Sequence, residues 1–600
     1  MINKVSSAYK HNILIIALGP FLKIIEAIFD LLIPLFMKAI IDLSQYGSPN
    51  LIPNKISASL ATLIRAINTN PNSVSDAITG GAIILIMGIV GYIITMVSQY
   101  LAAKASVSVG TEVRSSIYEK TLLLSKKERE QISNAKLLTL INSDSYQLQH
   151  GVLLFVRLVV RAPFILIGSL IISFILDWRV GIAFSAVVLL VALIYLLVLR
   201  KSAKGYVEIQ SELDNISNQT SETIEGARMV RASNDQEYEG NRFANKTLSY
   251  QNKSIKVNRL NALINPLIFA ITSIVLIIIV LLLKENLFSP NNTDIASTII
   301  AEMSYLSQIF FVVMQLSMVI VELVKASVSR KRIDSVLSIE PQIVCAKNAQ
   351  TGEVKDNEPV VKFDCVYFSF EDNDHYFLNN LCFEIRKGET FAIIGGTGSG
   401  KSTIINLIER FYDVSKGGIL YKGIPLKEYD LAKLRNDIGL VNQKSSLFKG
   451  SIKSNLLQSN PEATFEDIVD SLKAAEAYEF VSKYDDSIEH EVNEGATNFS
   501  GGQKQRLCIA RALIRKPELL ILDDATSALD LLTDKKIRDY VSSLKDMTKI
   551  IVSQRVATVQ NADYILVLEG GQVVGQGKHE DLLNNCPIYQ EIYQTQIRKE

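Results

Sequence analysis

The sequence predicts two domains of different class, an all-α membrane domain of six helices followed by an α/β domain. The chain has 600 residues, more than one hydrophobic core usually supports. Long apolar runs fill its first half, whereas short strands and helices alternate around a glycine-rich turn in its second half. The predicted boundaries are a transmembrane domain over 1–340, a linker over 341–358 and a second domain over 359–600.

Composition narrows the possible partners. The 62 basic and 62 acidic side chains give a net charge of zero, so nothing indicates a nucleic-acid partner. All five cysteines lie in the second half and form neither a CxxC motif nor a Cys/His cluster. They are therefore predicted to be reduced packing residues of a cytosolic domain. No cleavable signal peptide is expected, because the first apolar run is too long for one.

Six segments of about 20 mostly apolar residues are candidate membrane helices. They lie at 13–41, 77–103, 152–176, 180–199, 260–283 and 298–324. Lysine and arginine are concentrated in the connections 103–151 and 200–260 and are sparse in the others. The positive-inside rule therefore places both termini, both long loops and the second domain in the cytoplasm, and the protein in the cytoplasmic membrane.

Apolar residues recur with helical spacing in the two long loops, so the membrane helices are expected to continue into the cytoplasm. Each loop has a break, near 128–133 and 226–231. Periodicity supports equally a short transverse helix that docks on the second domain and a simple solvated turn.

The first span carries charges on one helical face, at Lys23, Glu26 and Asp30. Ionisable groups at membrane depth usually face a bundle interior or a wet cavity. These residues either line a translocation pathway or form a structural ion pair with Arg157 or Arg161. The near balance of acids and bases favours the ion pair.

The segment 391–403, FAIIGGTGSGKST, joins an apolar strand, a glycine-rich turn and the start of a helix. Its spacing matches the P-loop, in which backbone N–H groups surround phosphate oxygens, a lysine reaches the β- and γ-phosphates and a serine ligates Mg²⁺. The helix N-terminus adds the positive end of its dipole. A nucleoside triphosphate with Mg²⁺ is therefore the expected ligand. The predicted nucleotide-binding residues are Gly395, Gly396, Thr397, Gly398, Ser399, Gly400, Lys401, Ser402 and Thr403.

Other residues of this domain point to the same ligand. Asp523 ends an apolar run that reads as a buried parallel strand, and ligands lie at the carboxyl ends of such strands. It is the expected Mg²⁺ partner of Ser402. Phe370 lies about thirty residues before Lys401 and could stack on a base, although a lone aromatic is more often a core residue.

A second anion-binding turn is formed by Ser500, Gly501, Gly502 and Gln503 at the start of another helix. One nucleotide does not need two such cradles from one chain. This turn is therefore expected to serve a nucleotide held on a partner subunit.

These motifs together resemble an ATP-binding cassette (ABC) exporter half-transporter, over nearly the whole chain. Residues 395–402 are similar to Walker A, 519–523 to Walker B and 500–503 to the signature motif. The resemblance implies that Gln443 senses Mg²⁺ and the membrane domain, that Phe370 stacks on adenine and that Asp530 belongs to the D-loop. It also implies that the two loop breaks are coupling helices and that two subunits sandwich two ATP molecules.

Two positions depart from the family pattern. Asp524 stands where active members carry the glutamate that acts as general base, and Gln554 replaces the switch histidine. Asp524 is one methylene shorter, and Gln554 cannot carry a proton or a positive charge. The chain therefore resembles the weak-site half of bacterial heterodimeric multidrug exporters, whose partner supplies the glutamate and the histidine.

The resemblance implies export of small amphipathic or hydrophobic compounds, with membrane lipids as neighbours. Two alternatives stay open from the sequence. One is a homodimeric lipid or peptide exporter in which Asp524 suffices as base. The other is an ATP-binding regulatory membrane subunit without transport.

Overall fold

In a computed structural model the chain divides into two units, Met1–Leu122 with Asn134–Ile339, and Leu123–Ser133 with Glu340–Glu600. The structure describes residues 5–11, 13–68, 72–287, 294–346, 348–354, 358–370 and 375–597. Residues 347 and 355–357 of the predicted linker lie outside this described part of the chain.

The first unit is helical, as the apolar runs predict. In chain order the helices up to residue 337 are α1 (Val5–His11), α2 (Ile13–Tyr46), α3 (Lys55–Ile67), α4 (Ser73–Leu123), α5 (Lys126–Gln131), α6 (Asn134–Thr139), α7 (Ser145–Leu154), α8 (Arg161–Leu176), α9 (Trp178–Glu225), α10 (Ala227–Ala232), α11 (Gln236–Ala262), α12 (Ile264–Leu287) and α13 (Asp294–Leu337). Helix α5 belongs to the second unit.

Four helical stretches of the described residues are long and apolar enough to cross a membrane. They are Ser73–Leu123, Asn134–Leu176, Gln236–Leu281 and Ile295–Leu337, and Trp178–Ile194 is a shorter apolar stretch. Helix α2 covers the predicted first span but carries Lys23, Glu26, Asp30, Lys38 and Asp42, and these charges lower its hydropathy. At 1.5 Å per residue the 51 residues of α4 extend for about 75 Å, well beyond a hydrocarbon core of about 30 Å.

The third predicted span is a continuous but irregular helix. Two π-helical turns, Leu140–Asp144 and Phe155–Val159, interrupt the α-helical pattern between α6 and α8. Pro163 has no N–H group, and its ring crowds the carbonyl group four residues earlier, at Val159. The second π-turn ends at that residue, so it accommodates the proline without breaking the span.

The charged face of α2 forms an ion-pair network. Lys23 Nζ lies 2.5 Å from Glu26 Oε2, and Arg161 Nη1 lies 3.6 Å from Glu26 Oε1. Arg161 also pairs with Asp30. Lys23 and Glu26 are buried, and burial of a charge is costly unless it is paired. The structure therefore supports the structural ion pair, with Arg161 rather than the exposed Arg157 as the partner.

The second unit is α/β, as predicted. Its strands are β1 (Val361–Phe368), β2 (Leu378–Ile385), β3 (Thr390–Gly395), β4 (Lys416–Tyr421), β5 (Ile424–Pro425), β6 (Ile438–Val441), β7 (Gly450–Ser451), β8 (Glu491–Val492), β9 (Leu519–Asp523), β10 (Thr548–Ser553), β11 (Tyr564–Glu569) and β12 (Gln572–Gly577). The helices are α14 (Lys401–Ile408), α15 (Leu431–Asp437), α16 (Ile452–Leu457), α17 (Phe465–Ala474), α18 (Tyr478–Val481), α19 (Gly501–Leu513), α20 (Leu531–Ser543), α21 (Val556–Val559), α22 (His579–Asn585) and α23 (Pro587–Ile597).

The sheets of this unit determine where its loops meet. Six strands form one sheet in the order β12-β11-β3-β10-β9-β6, parallel except for β12, and four form an antiparallel sheet in the order β2-β1-β4-β5. Helix α14 contributes Ile404 to a core that also contains Phe363 of β1 and Phe391 of β3. Only β10 separates β3 from β9, so the carboxyl ends of these strands lie at one edge of the sheet.

The cysteines correct one prediction. Cys508 and Cys586 are buried, as expected of packing residues. Cys345, Cys365 and Cys382 are free but exposed. The packing role was therefore wrong for these three, because two of them lie on the outward side of an antiparallel pair of strands, where one face meets solvent.

Candidate nucleotide-binding site

The turn between β3 and α14 requires glycine at two positions. A Cβ atom on Gly395 would lie 2.2 Å from the carbonyl oxygen of Leu568. Gly400 has a φ of +103°, and a Cβ atom there would lie 2.4 Å from Leu378 Cδ2. Both contacts are closer than a side chain tolerates, so these glycines bring the backbone of the turn against its neighbours.

Lys401 is the first residue of α14, and its own turn holds its ammonium group. Lys401 Nζ donates hydrogen bonds to the carbonyl oxygens of Gly395 at 2.8 Å and Gly396 at 2.7 Å. Burial lowers the pKa of Lys401, and the carboxylates of Asp523 and Asp524 oppose this effect. The charged form thus depends on nearby negative charge, as suits a phosphate-binding lysine.

The Mg²⁺ ligands predicted from the sequence lie next to each other. Ser402 Oγ donates a hydrogen bond to Asp523 Oδ2 at 3.0 Å. Burial raises the pKa of Asp523, and the Ser402 hydroxyl opposes that shift. Mg²⁺ prefers oxygen ligands and typically takes one or two carboxylates together with substrate phosphates. A hydroxyl and a single buried carboxylate fit this ion, although no cluster of three or more metal-binding side chains occurs among the described residues.

One cavity of about 200 Å³ brings most of the predicted site together. Its lining contains Phe377, Thr397, Gly398, Gly400, Lys401, Ser402, Thr403, Gln443, Asp523, Asp524, Val552, Ser553 and Gln554. Gly395, Gly396 and Ser399 complete the turn beside it. Phe370, the signature residues Ser500–Gln503 and Asp530 do not line it.

Phe377 is a site residue that sequence reasoning missed. Its Cε1 atom would lie 3.6 Å from a Cβ atom on Gly400, so the ring borders the phosphate turn. Phe370 packs behind it with a ring-centroid distance of 5.3 Å and also contacts Phe368 and Tyr412. The available signal was an aromatic residue directly before strand β2, in the segment that leads to the P-loop.

The two departures from the family pattern face the same cavity. Asp524 follows β9 with a φ of +48°, a left-handed conformation that Asp adopts more readily than most residues. Its N–H group donates to the carbonyl oxygen of Val552 at 2.9 Å. Gln554 follows β10 and is exposed. Both side chains thus leave the carboxyl ends of adjacent strands, on the side of the phosphate turn.

The signature residues form an exposed helix N-terminus. Ser500 Oγ accepts from the N–H group of Gln503 at 3.3 Å, and Gln503 Oε1 accepts from the N–H group of Ser500 at 2.9 Å. This reciprocal capping box leaves the first turn of α19 facing solvent. Gln505 Oε1 accepts from the N–H group of Ala528 at 3.0 Å and so ties α19 to residues 527–530, the segment that resembles the D-loop.

Asp530 has a visible structural role. Its carboxylate accepts a hydrogen bond from the N–H group of Thr533 at 3.0 Å and caps α20. This backbone hydrogen bond lowers the pKa of Asp530. The carboxylate is therefore fixed at the start of a helix that follows the D-loop.

Helix α5, at the first loop break, is part of the α/β unit. Tyr412 donates a hydrogen bond from its hydroxyl to Glu130 Oε2 at 3.3 Å, and Lys126 Nζ lies 3.4 Å from Asn406 Oδ1. Burial and the Glu130 carboxylate raise the pKa of Tyr412 to about 12. Asn406 belongs to α14, so α5 docks beside the helix that starts at the phosphate turn. Helix α10, at the second break, has no buried residue.

Comparisons with known proteins agree with this geometry. Residues 16–309 match the ABC transporter transmembrane region, and residues 378–527 match the ABC transporter domain. The chain is 32% identical to an uncharacterized ABC transporter ATP-binding protein of Mycobacterium tuberculosis, over 83% of this chain and 85% of that protein. It is 31% identical to a proposed multidrug export ATP-binding/permease protein of Staphylococcus aureus, over 94% and 97% of the two chains.

Two further similarities concern a flippase and a solved structure. An ATP-dependent lipid A-core flippase of Haemophilus influenzae is 28% identical over 86% of each chain. A bacterial Atm1-family ABC exporter with ATP bound superposes with a TM-score of 0.77 over 99% of this chain and 98% of that one, at 21% identity, and so shows the fold. The chain therefore belongs to the ABC transporter family, as a multi-pass exporter half-transporter whose ATP-binding domain is an ATPase coupled to transport.

Proposed function

We propose that this chain is the weak-site half of a heterodimeric exporter that moves amphipathic or hydrophobic compounds outward across the cytoplasmic membrane. The observation that carries the proposal is the lining of one cavity. Its phosphate-binding residues match the family motif, whereas Asp524 and Gln554 replace the glutamate and histidine that the family uses for hydrolysis.

The site is proposed to bind ATP firmly. Lys401 and the N–H groups of the turn hold the phosphates. Ser402, Asp523 and Gln443 would hold Mg²⁺, which neutralises charge on the β- and γ-phosphates. Phe377, backed by Phe370, offers an aromatic surface at the cavity for the base. This chain itself carries every protein group that these contacts use.

Hydrolysis at the same site is proposed to be slow. Asp524 is one methylene shorter than glutamate, so its carboxylate is drawn back from an attacking water molecule. Loss of a positioned general base costs about 10²–10⁴-fold in rate, and an error of about an ångström in geometry costs a comparable factor. Gln554 can donate a hydrogen bond to the γ-phosphate but adds no positive charge. The nucleotide is then retained through several turnovers of the partner's site.

The signature turn is proposed to complete the partner's competent site. Its exposed, capped helix N-terminus presents N–H groups and the positive end of a dipole, which suit a phosphate from another subunit. ATP binding would close the two cassettes on each other. Helix α5, held through Glu130 and Tyr412, would carry that motion towards the membrane helices. Helix α10, with no buried residue, would dock on the partner's cassette.

A homodimeric lipid exporter is the second candidate. The similarity to a lipid A-core flippase over 86% of the chain favours it. In this case Asp524 would serve as the base in both sites, and each signature turn would complete the site of an identical subunit.

ATP binding and ATP hydrolysis by the purified full-length chain in nanodiscs separate these candidates. The proposal predicts tight ATP binding, hydrolysis near background and no stable homodimer by mass. It also predicts that the Asp524→Glu, Gln554→His double variant raises hydrolysis strongly once a partner signature is present. Brisk hydrolysis by a wild-type homodimer would rule out the weak-site assignment and favour the homodimeric exporter.

A further inference from the structure

The C-terminal helix reaches the loop that carries Gln554. Gln596, near the end of α23, donates a hydrogen bond from Nε2 to the carbonyl oxygen of Gln554 at 2.7 Å. Its Oε1 atom accepts a hydrogen bond from the N–H group of Val556 at 2.8 Å. A single carboxamide thus holds the backbone on both sides of Arg555, although it lies about forty residues further along the chain.

The loop needs these two hydrogen bonds. Val556 opens the short helix α21, and the first N–H groups of a helix have no acceptor within the helix. The residue before it, Arg555, makes no side-chain capping bond, so Gln596 provides the acceptor that a capping residue normally supplies. The N–H group of Arg555 donates to Ser553 Oγ at 3.0 Å. The peptide group that follows Gln554 is therefore held at both its carbonyl oxygen and its N–H group, and the next N–H group, of Val556, is held as well.

Helix α23 is a firm support for this contact. Tyr589 is fully buried in a cluster with Val556 and Val559, and its hydroxyl lies 2.7 Å from His579 Nδ1. Beside this cluster, a cavity of about 610 Å³ lies between the phosphate turn and α23, and its lining includes Gly396, Ser399 and Gln596. The Gln596 carboxamide therefore bridges from a rigid helix to the loop at the rim of an open space.

We propose that Gln596 is a positioning residue for Gln554. By fixing the Gln554 backbone, it keeps the Gln554 amide directed into the nucleotide cavity, where it can contact the γ-phosphate. The C-terminal helix is then part of the device that distinguishes ATP from ADP. This inference rests on the proposed γ-phosphate contact of Gln554.

The test is the affinity for ATP relative to ADP, measured with the full-length protein in nanodiscs by competition against a fluorescent nucleotide. Because ADP lacks the γ-phosphate, this ratio isolates the contact in question. Gln596→Ala is expected to lower the ratio about three- to tenfold, the usual effect of losing a hydrogen bond that positions a group. Gln596→Glu keeps the acceptor for Val556 but not the donor for Gln554. The ratio of this variant should therefore lie between those of the wild type and Gln596→Ala.

A double-mutant cycle shows whether Gln596 acts through Gln554. In a Gln554→Ala background, Gln596→Ala should cause no further loss, because the positioned side chain is already gone. Gln594→Ala, an exposed substitution on the same helix, should behave as wild type. Additive losses, an unchanged ratio in Gln596→Ala, or an equal loss of ATP and ADP affinity with a lowered unfolding temperature would each overturn the positioning role. If Gln554→Ala itself left the ratio unchanged, the proposed γ-phosphate contact would fail instead.

Discussion

Two phenylalanines, Phe377 and Phe370, form the aromatic side of the nucleotide cavity and are expected to contribute to its affinity for ATP. Phe377 lines the cavity and Phe370 packs behind it. Removal of an aromatic ring that stacks on a base costs about 1–3 kcal/mol in nucleic-acid complexes. Phe377→Ala is therefore expected to weaken ATP binding about tenfold, and Phe370→Ala less, in nucleotide-binding titrations. Phe465→Ala, an exposed phenylalanine at the start of α17, is the control. A larger loss for Phe370→Ala than for Phe377→Ala would assign the base to Phe370.

Glu409 gives a pH-dependent prediction. It follows α14 directly, and its burial raises its pKa to about 7, against the opposing charges of Arg435 and Lys126. Since an unfolded glutamate has a pKa near 4.3, the folded state binds more protons between that pH and about 7, and stability falls as pH rises through this range. Glu409→Gln, which mimics the neutral acid, should raise the unfolding temperature by several degrees at pH 8 and much less at pH 5.

Thermal unfolding of the full-length protein at the two pH values tests this expectation. Glu428→Gln, at an exposed position in the same unit, should leave the unfolding temperature unchanged at both. Equal effects of Glu409→Gln at pH 5 and pH 8 would contradict the raised pKa.

The residues missed from the sequence share a physical cause. Lys401, Ser402 and Asp523 were predictable because strand order and the P-loop spacing alone bring them to one sheet edge. Phe377 and Gln596 reach the site through loop conformation and through the packing of a C-terminal helix. Neither loop conformation nor helix packing produces a recognisable spacing of residues in the sequence. The choice between Arg157 and Arg161, both of which the sequence offered, was open for the same reason, because pairing with Glu26 and Asp30 depends on which faces of two helices meet.

At the scale of elements, the pair β1 and β2 carries an unexpected dithiol. Cys365 and Cys382 lie on these antiparallel strands at an irregularity in their register, both exposed, with their Sγ atoms 3.1 Å apart. A disulfide here would close the loop that contains Phe370 and Phe377 and so stiffen the aromatic side of the site. Hydrogen peroxide is expected to oxidise the two thiols to one intrachain disulfide, with peroxide reduced to two molecules of water.

Mass spectrometry after alkylation measures this reaction. The peptides of Cys365 and Cys382 should be linked with a loss of about 2 Da and resist alkylation, until a reductant restores both thiols. Cys345, which is also exposed, provides the internal control and should stay open to alkylation under mild oxidant. Unchanged alkylation of both paired cysteines after peroxide would show that the strands hold the thiols apart.

Elements with a long period were predictable, and short ones were not. Runs of about 20 apolar residues predicted four helical stretches that are long and apolar enough to cross a membrane. The charges of α2 lower the hydropathy of the first predicted span, and the fourth corresponds to the shorter apolar stretch Trp178–Ile194. The helices α5 and α10 have six residues each, too few to show a period. The docking of α5 on the α/β unit depends on Tyr412 and Asn406, which lie far away in the sequence, so the sequence around α5 does not reveal it.

At the scale of the whole molecule, the phosphate turn and the signature turn of one chain do not line a common cavity. The Lys401 side lines a cavity, whereas the signature turn at Ser500 is exposed and lies outside that cavity's lining. Exporters of this family act as dimers with a second half-transporter. Under the proposed function, that second subunit completes the nucleotide sites at both turns. In a heterodimer with one weak site, a change at the Lys401 side and a change at the signature turn should lower ATPase activity by different amounts. In a homodimer the two changes should lower it equally.

Gly501→Glu and Lys401→Met make this comparison in the complex purified through a tag on this chain. A Cβ atom on Gly501 would meet Ala528 Cβ at 3.8 Å, an ordinary contact, so the backbone accepts a side chain here, and the glutamate is expected to act by repelling phosphate. The weak-site proposal predicts that Gly501→Glu abolishes ATPase activity, because it disables the competent site on the partner. Lys401→Met should abolish ATP binding at this chain's own site but leave a measurable part of the activity. Gly501→Ala, which adds only the methyl group, controls for loss of the glycine itself. Equal loss of ATPase activity in Gly501→Glu and Lys401→Met would mean that both sites hydrolyse ATP alike, and the homodimeric exporter would then be the better description.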